Sequence, residues 1–212
     1  MRSSLRFVLL SFGLLLVAAP LGAQGGRAPD LDSLLRSFRG LPGLSARFRE
    51  EKHVALLAAP LRSEGEIHFA PPGRLLRRVT TPSPSVALIA DGRLTFASEG
   101  QRQQFDLAGQ PLVAGFVDSF RHVLAGDRRA LEASYRIAYE RRDDGSWVLT
   151  LRPRGAPLDQ FLREMTFEGR GVRVTRMRMV EVSGDETRTE FFDVDTSKRW
   201  SPDEVRRVFR VD

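Results

Sequence analysis

Most of the chain alternates apolar and polar residues with period two, the pattern of half-buried antiparallel strands. Leu44, Ala46 and Phe48 alternate with Ser45, Arg47 and Arg49. Glu66 to Phe69 continues the pattern, Pro71-Pro72-Gly73 interrupts it, and Arg74 to Val79 resumes it until Pro82 and Pro84. Val86 to Ala90 and Arg93 to Ala97 flank Asp91-Gly92, a pair suited to the positive φ angles of a two-residue hairpin. Further hairpins are predicted at Asp143-Asp144-Gly145, at Glu168 to Gly171 and at Ser183-Gly184-Asp185, the last leading into a strand over Glu186 to Val194. Other segments have helical spacing. Asp30 to Arg39 places Leu31, Leu34, Leu35 and Phe38 on one face, with Asp30 as N-cap. Leu112 to Ala125 aligns Leu112, Phe116, Phe120 and Val123 and stops at Gly126, and a short helix follows over Arg128 to Ala133. Ser201-Pro202-Asp203-Glu204 is a capping-box pattern opening a helix with Val205, Val208 and Phe209 on its apolar face.

About ten or eleven short strands with hairpin turns predict one large antiparallel sheet, and the lack of a βαβ rhythm argues against a doubly wound one. A sheet of this size twists and curls. Its outer face is wet, and the helices are the elements available to cover the concave one.

The start of the chain reads differently. Arg2 and Arg6 precede an apolar run over Phe7 to Ala19, then Pro20 and Leu21-Gly22-Ala23, the layout of a secretory signal peptide. The expected organisation is a leader over residues 1–23, cleaved after Ala23, and one exported domain over 24–212, resident in a bacterial periplasm. At 42% hydrophobic and 28% charged residues the composition is that of an ordinary globular protein, which excludes a disordered or fibrous chain. Cysteine is absent, which excludes disulfides, thiolate metal sites, a cysteine nucleophile and a lipidated cysteine. Of the 33 basic residues only Lys52 and Lys198 are lysines. The formal charge of +6 is scattered among acids, as in Arg49-Glu50-Glu51-Lys52, which reads as a solvated strand surface. Nucleic-acid binding would want a clustered basic face.

Candidate reactive groups are few. His53, His68 and His122 have no metal-motif spacing and read as surface or rim residues; an enzyme would have to use these in a dispersed site. Asp193-Val194-Asp195 lacks the glycine and glutamate of a calcium loop, and no nucleophile elbow or phosphate loop occurs. Asp143-Asp144 and Asp185-Glu186 sit at turns. No metal or cofactor is expected. What stands out is apolar surface. There are fourteen phenylalanines against two tryptophans and two tyrosines, spread over strands and helices. They fill a core or line an apolar cavity under a helical lid.

The order of elements from Asp30 to Phe209 resembles the LolA family of periplasmic outer-membrane lipoprotein carriers, in particular its LolA-like branch. An amphipathic helix precedes the strand Leu44-Ser45-Ala46-Arg47-Phe48. Gly65 to Phe69 leads to Pro71-Pro72-Gly73-Arg74-Leu75, then to Thr81-Pro82, the Asp91-Gly92 hairpin and a helical insertion. Leu124 to Asp127 with Leu131, Trp147 to Pro153, and Gly184 to Thr187 complete the series. Family carriers have an arginine directly before the proline that follows the second strand, where it takes part in accepting and releasing lipoprotein. Here that position is Pro71, and the nearest arginine is Arg74.

The resemblance implies a mainly β fold with helical insertions (α+β), a curled antiparallel sheet forming an unclosed barrel whose hollow is covered by helices. It implies a carrier without catalytic activity, a monomer that takes acyl chains of a lipoprotein, or another lipidic cargo such as a glycolipid or acylated pigment, from an inner-membrane donor to an outer-membrane acceptor. The alternative is a lipid-sensing regulatory domain of the anti-sigma regulator type, without transport. Candidate lining residues are Phe48, Ile67, Phe69, Leu88, Phe96, Phe116, Phe120, Leu149, Leu151 and Phe167. Met165, Met177 and Met179 are candidate adaptable lining. Arg74 and Arg78 are candidates for contact with a head group at the rim.

Overall fold

The computed structural model describes residues 30–211. The expected leader over residues 1–23 lies outside them. Helix α1 (Leu31–Arg39) is followed by strands β1 (Leu44–His53), β2 (Leu61–Ala70), β3 (Arg74–Thr81), β4 (Ser85–Ala90), β5 (Arg93–Ser98) and β6 (Gln101–Asp106). Helices α2 (Pro111–Leu124) and α3 (Arg128–Ser134) come next, then β7 (Tyr135–Arg141), β8 (Ser146–Pro153), β9 (Leu162–Arg170), β10 (Arg173–Glu181) and β11 (Glu186–Asp195). Helix α4 (Pro202–Val208) closes the series. The eleven strands form one antiparallel sheet in the order β6-β5-β4-β3-β2-β1-β11-β10-β9-β8-β7. Its edges, β6 and β7, do not pair, so the barrel is unclosed, and α2 and α3 carry the chain from one edge to the other.

Local chemistry explains the turns and helix ends. Asp91 and Gly92 both take positive φ, as their two-residue hairpin requires. The Asp30 side chain accepts from the Ser33 amide at 3.0 Å and starts α1. Ser201 and Glu204 form the reciprocal capping box of α4. Gly126 ends the α2 segment with φ +61°. Strand β6 departs from the sequence reading, which had no strand there. Gln101 to Asp106 is exposed throughout, so an edge strand wet on both faces carries no alternation to detect.

The two halves of the concave face differ. Over β7 to β9, helices α1, α2 and α3 fill it, with Phe38, Leu131, Tyr135, Trp147, Leu149, Leu151 and Met165 in one core. Phe38 meets Trp147 edge-on at 6.0 Å between centroids. Ser119 donates to the Gly115 carbonyl at 2.7 Å, so its hydroxyl accepts from Tyr135, which pins α2 to β7. Over β11, β1 and β2 to β5, the concave face is left largely unfilled.

Helix α4 does not join the cover over the concave face. It lies on the outer face, where Phe209 packs with Ala70 and Leu76 and the partly buried Leu88, Trp200 and Val205. The Trp200 indole donates to the Phe69 carbonyl at 2.7 Å. His68, expected at the surface, is buried beneath this segment, edge-on to Trp200 and Phe209. Its ring nitrogens face Ser45 and Glu66. Burial holds the imidazole below its ordinary value, against the pull of the Glu66 carboxylate and with the push of Arg78 and Lys198. The unfolded chain therefore takes up this proton more readily than the folded one. Stability from neutral His68 is complete above about pH 6.5 and is lost as pH falls through the lowered folded value. The thermal midpoint is expected to decline between about pH 7 and pH 5. A His68→Gln variant should show a flatter profile over that range in circular dichroism melts, and an unchanged slope would contradict the assignment.

Candidate functional site

The unfilled half of the concave face is a half-enclosed hollow of about 410 Å³. Its walls come from alternate residues of β1, β3, β4, β10 and β11, and its cover from Val113, Phe116, Val117 and Phe120 of α2. A narrow apolar lobe of about 60 Å³ adjoins it between Val123, Phe167 and Val194, with Ile67, Leu75, Phe120 and Phe191 shared by both spaces. The volume lies in the range of about 300–1,000 Å³ common for ligand sites. Open to water, this apolar lining forgoes the burial that packs the other half of the same face. Stability alone gives no reason to leave this half open while the other half is packed.

Phe120 sits where the two spaces meet. Its ring is edge-on to Phe116 at 5.2 Å and to Phe167 at 5.9 Å. Phe48 is placed by a glycine. It pairs with Gly65 across β1 and β2, and a β-carbon on Gly65 would lie 1.9 Å from the Arg78 carbonyl oxygen and 2.9 Å from the Phe48 ring. Only glycine lets this ring and the β3 backbone approach so closely.

The hollow also has a charged wall. Glu50 and Lys52 follow Phe48 on the same face of β1 and line the hollow with Arg77, Thr187 and Thr189. Arg77 donates to Glu50 Oε1 at 2.8 Å, with its guanidinium 4.4 Å from the centroid of Phe48. The other Glu50 oxygen accepts from Thr189 at 3.0 Å. Lys52 donates to the buried Glu181 at 2.8 Å. The Arg49-Glu50-Glu51-Lys52 run, read as a solvated surface, is thus solvated on one face only.

The structure places the candidate residues in different surroundings. Phe48, Ile67, Phe116 and Phe120 line the hollow, and Phe167 lines the adjoining lobe. Met177 and Met179 line the hollow, whereas Met165 is in the packed core. Leu149 and Leu151 are on the concave face but wholly buried in the filled half. Phe69 lines a separate groove with Phe38, Pro72 and Arg121, beyond the C-terminal part of α2. Phe96 pairs with the lining residue Ala87 but stands 39% exposed outside the hollow. Leu88 pairs with Leu76 and packs on the outer face toward α4, because Ala87 and Ile89 take the inward positions of β4. Leu112 is also outside, 39% exposed, with Val113 lining instead.

Strand parity likewise moves the rim arginines. Arg74 and Arg78 alternate with Leu75 and Arg77 and so share the outer face with Leu76. Arg74 lies 3.8 Å from Asp91, and Arg78 reaches Glu66 and the Val208 carbonyl. The arginine inside the hollow is Arg77. Among the described residues no cluster of three or more histidines and acids is arranged to hold a metal ion.

Comparison with known proteins agrees with this architecture. Residues 23–196 match the family described as outer membrane lipoprotein carrier protein LolA-like. No curated protein matches the chain. Among solved structures it is similar to MucB, at 17% identity and a TM-score of 0.50, over 87% of this chain and 62% of that one. It is also similar to a DUF1329 family protein from Desulfovibrio piger, at 10% identity and 0.49, over 86% and 98%. A LolA superfamily protein from Nitrosomonas europaea gives 15% identity and 0.48, over 85% and 97%. At 17% identity the likeness to MucB is one of fold.

Proposed function

The chain belongs to the outer membrane lipoprotein carrier protein LolA-like family, and on that premise we propose that it is a periplasmic carrier holding acyl chains in the hollow under α2. The observation that carries this reading is the contrast between the packed half of the concave face and the open apolar half beside it. The apolar run after Arg2 and Arg6 supports export. The cargo is an acylated lipoprotein or another lipid.

The energetics suit transfer rather than catalysis. Each buried methylene is favoured over water by about 0.8 kcal/mol. A bilayer offers the chain an equally dry place. Moving a chain between membrane and hollow is therefore a near-balanced exchange, reversible at a donor and at an acceptor. Met177 and Met179 line the site with flexible side chains that adapt to irregular chains. Nothing in this process calls for a bond to be made or broken.

The test is binding of a fluorescent apolar probe, N-phenyl-1-naphthylamine, and its displacement by single-chain lipids. Saturable enhancement, competed by long chains more strongly than by short ones, is expected. A probe that stays dark with the delipidated, folded protein would refute acyl-chain binding.

A further inference from the structure

We propose that the charged wall of the hollow is a polar subsite, built by Arg77, Glu50, Lys52 and Thr189, for the neutral linkage of an amphiphilic cargo: its ester or amide carbonyls and hydroxyls. The inference rests on reading the hollow as an acyl-chain site and adds where the polar end of that molecule sits.

On β1 and β11 the inward face changes from apolar to polar at one level, and the Arg77 side chain reaches that place from β3, where its backbone lies at the level of Ala46. Along the inward face of β1 the order is Leu44, Ala46, Phe48, Glu50, Lys52. Glu50 pairs with Thr189 on β11 and Lys52 with Thr187, while Phe191, next along that face, is apolar. On β3, Leu75 is followed inward by Arg77. The hollow therefore has a polar belt toward the β1–β2 turn and an apolar lobe at the opposite end, where Phe120 and Phe167 meet.

The belt is built rather than incidental. Both Glu50 oxygens are engaged, one by Arg77 and one by Thr189, and Phe48 supports the guanidinium from below. Gly65 makes room for that ring. Arg77 spends one arm on Glu50, out of five N–H donors on a rigid plane. A bare hydrocarbon lying across the belt would strip water from the other donors and return nothing. A carbonyl or hydroxyl at that height would satisfy them, with its chain running on toward Phe120. The belt's own charges balance, since Arg77 faces Glu50 and Lys52 faces Glu181. A balanced belt suits a neutral linkage better than a phosphate.

The experiment compares displacement of N-phenyl-1-naphthylamine by dodecane and by monododecanoylglycerol, in wild type and in Arg77→Met/Glu50→Gln. The double change removes the pair without leaving either charge alone. Comparing each ligand with itself across the two proteins cancels its own hydration. The variant should bind the glycerol ester about tenfold more weakly and dodecane within about twofold of wild type. Equal weakening of both ligands, or of neither, would overturn the subsite. Tighter binding of dodecyl phosphate than of the ester by wild type would overturn the choice of a neutral linkage. Failure of the probe to enter wild type at all would strike the acyl-chain reading itself, and the subsite with it.

Discussion

Replacing Phe120 with aspartate is expected to weaken acyl-chain binding at least about hundredfold while the protein stays folded. The ring stands between hollow and lobe, edge-on to Phe116 and Phe167, so a chain passing from one to the other must cross it. The variant loses the roughly 1.5–3 kcal/mol of a buried phenyl group, and a carboxylate against a chain adds a desolvation cost of several kcal/mol. The empty hollow is half-enclosed, so the carboxylate stays hydrated in the unliganded protein and the sheet keeps its core under α1 and α3. Probe titration measures the loss, and a circular dichroism melt separates it from unfolding. Phe120→Leu should retain most of the binding. A folded Phe120→Asp variant that binds like wild type would remove Phe120 from the site.

The largest effect on stability is expected at Gly65. Gly65→Val puts a branched side chain where a β-carbon alone would be 1.9 Å from the Arg78 carbonyl oxygen. The obstacle is backbone in the centre of the sheet, between β1 and β3, and cannot swing aside like a side-chain tip. Overpacking of this kind costs about 3 kcal/mol. For a domain of this size that lowers the thermal midpoint by about 6–12 °C. Displacement of the Phe48 ring should also release Arg77 from its support, so any folded fraction should bind the glycerol ester less well. A midpoint unchanged within a degree or two would mean that β2 and β3 separate there more easily than the packing implies.

The sequence carried the architecture well, because its signals were local. Asp91-Gly92, Asp143 to Gly145 and the Ser201–Glu204 capping box each act within a few residues. The candidate site was less legible, because it depends on which face of each strand turns inward. Strand β3 has Leu75 and Leu76 buried on opposite faces, so alternation there does not say whether Arg77 or Arg78 points in. A usable signal did exist on β4. A two-residue hairpin at Asp91-Gly92 pairs Phe96 with Ala87 and Leu88 with Thr95, so Phe96 and Leu88 cannot share a face. Glu50 and Lys52 gave no comparable signal. A charged residue on a strand reads as solvated unless something shows the partner across the sheet, and Arg77, Thr189 and Glu181 are far away in the chain. Placing α4 on the outer face likewise required Trp200 to be seen bonded to Phe69.

The central claim is that the open half of the concave face exists to hold acyl chains. It is tested most directly by purifying the protein without detergent from the cells that make it, extracting it with organic solvent and analysing the extract by mass spectrometry. One class of acylated molecule in near-stoichiometric amount, absent from Phe120→Asp prepared in parallel, is the result predicted. A protein that emerges empty, and stays empty after incubation with lipid vesicles, would contradict it and leave the phenylalanines of the hollow as an unfinished core.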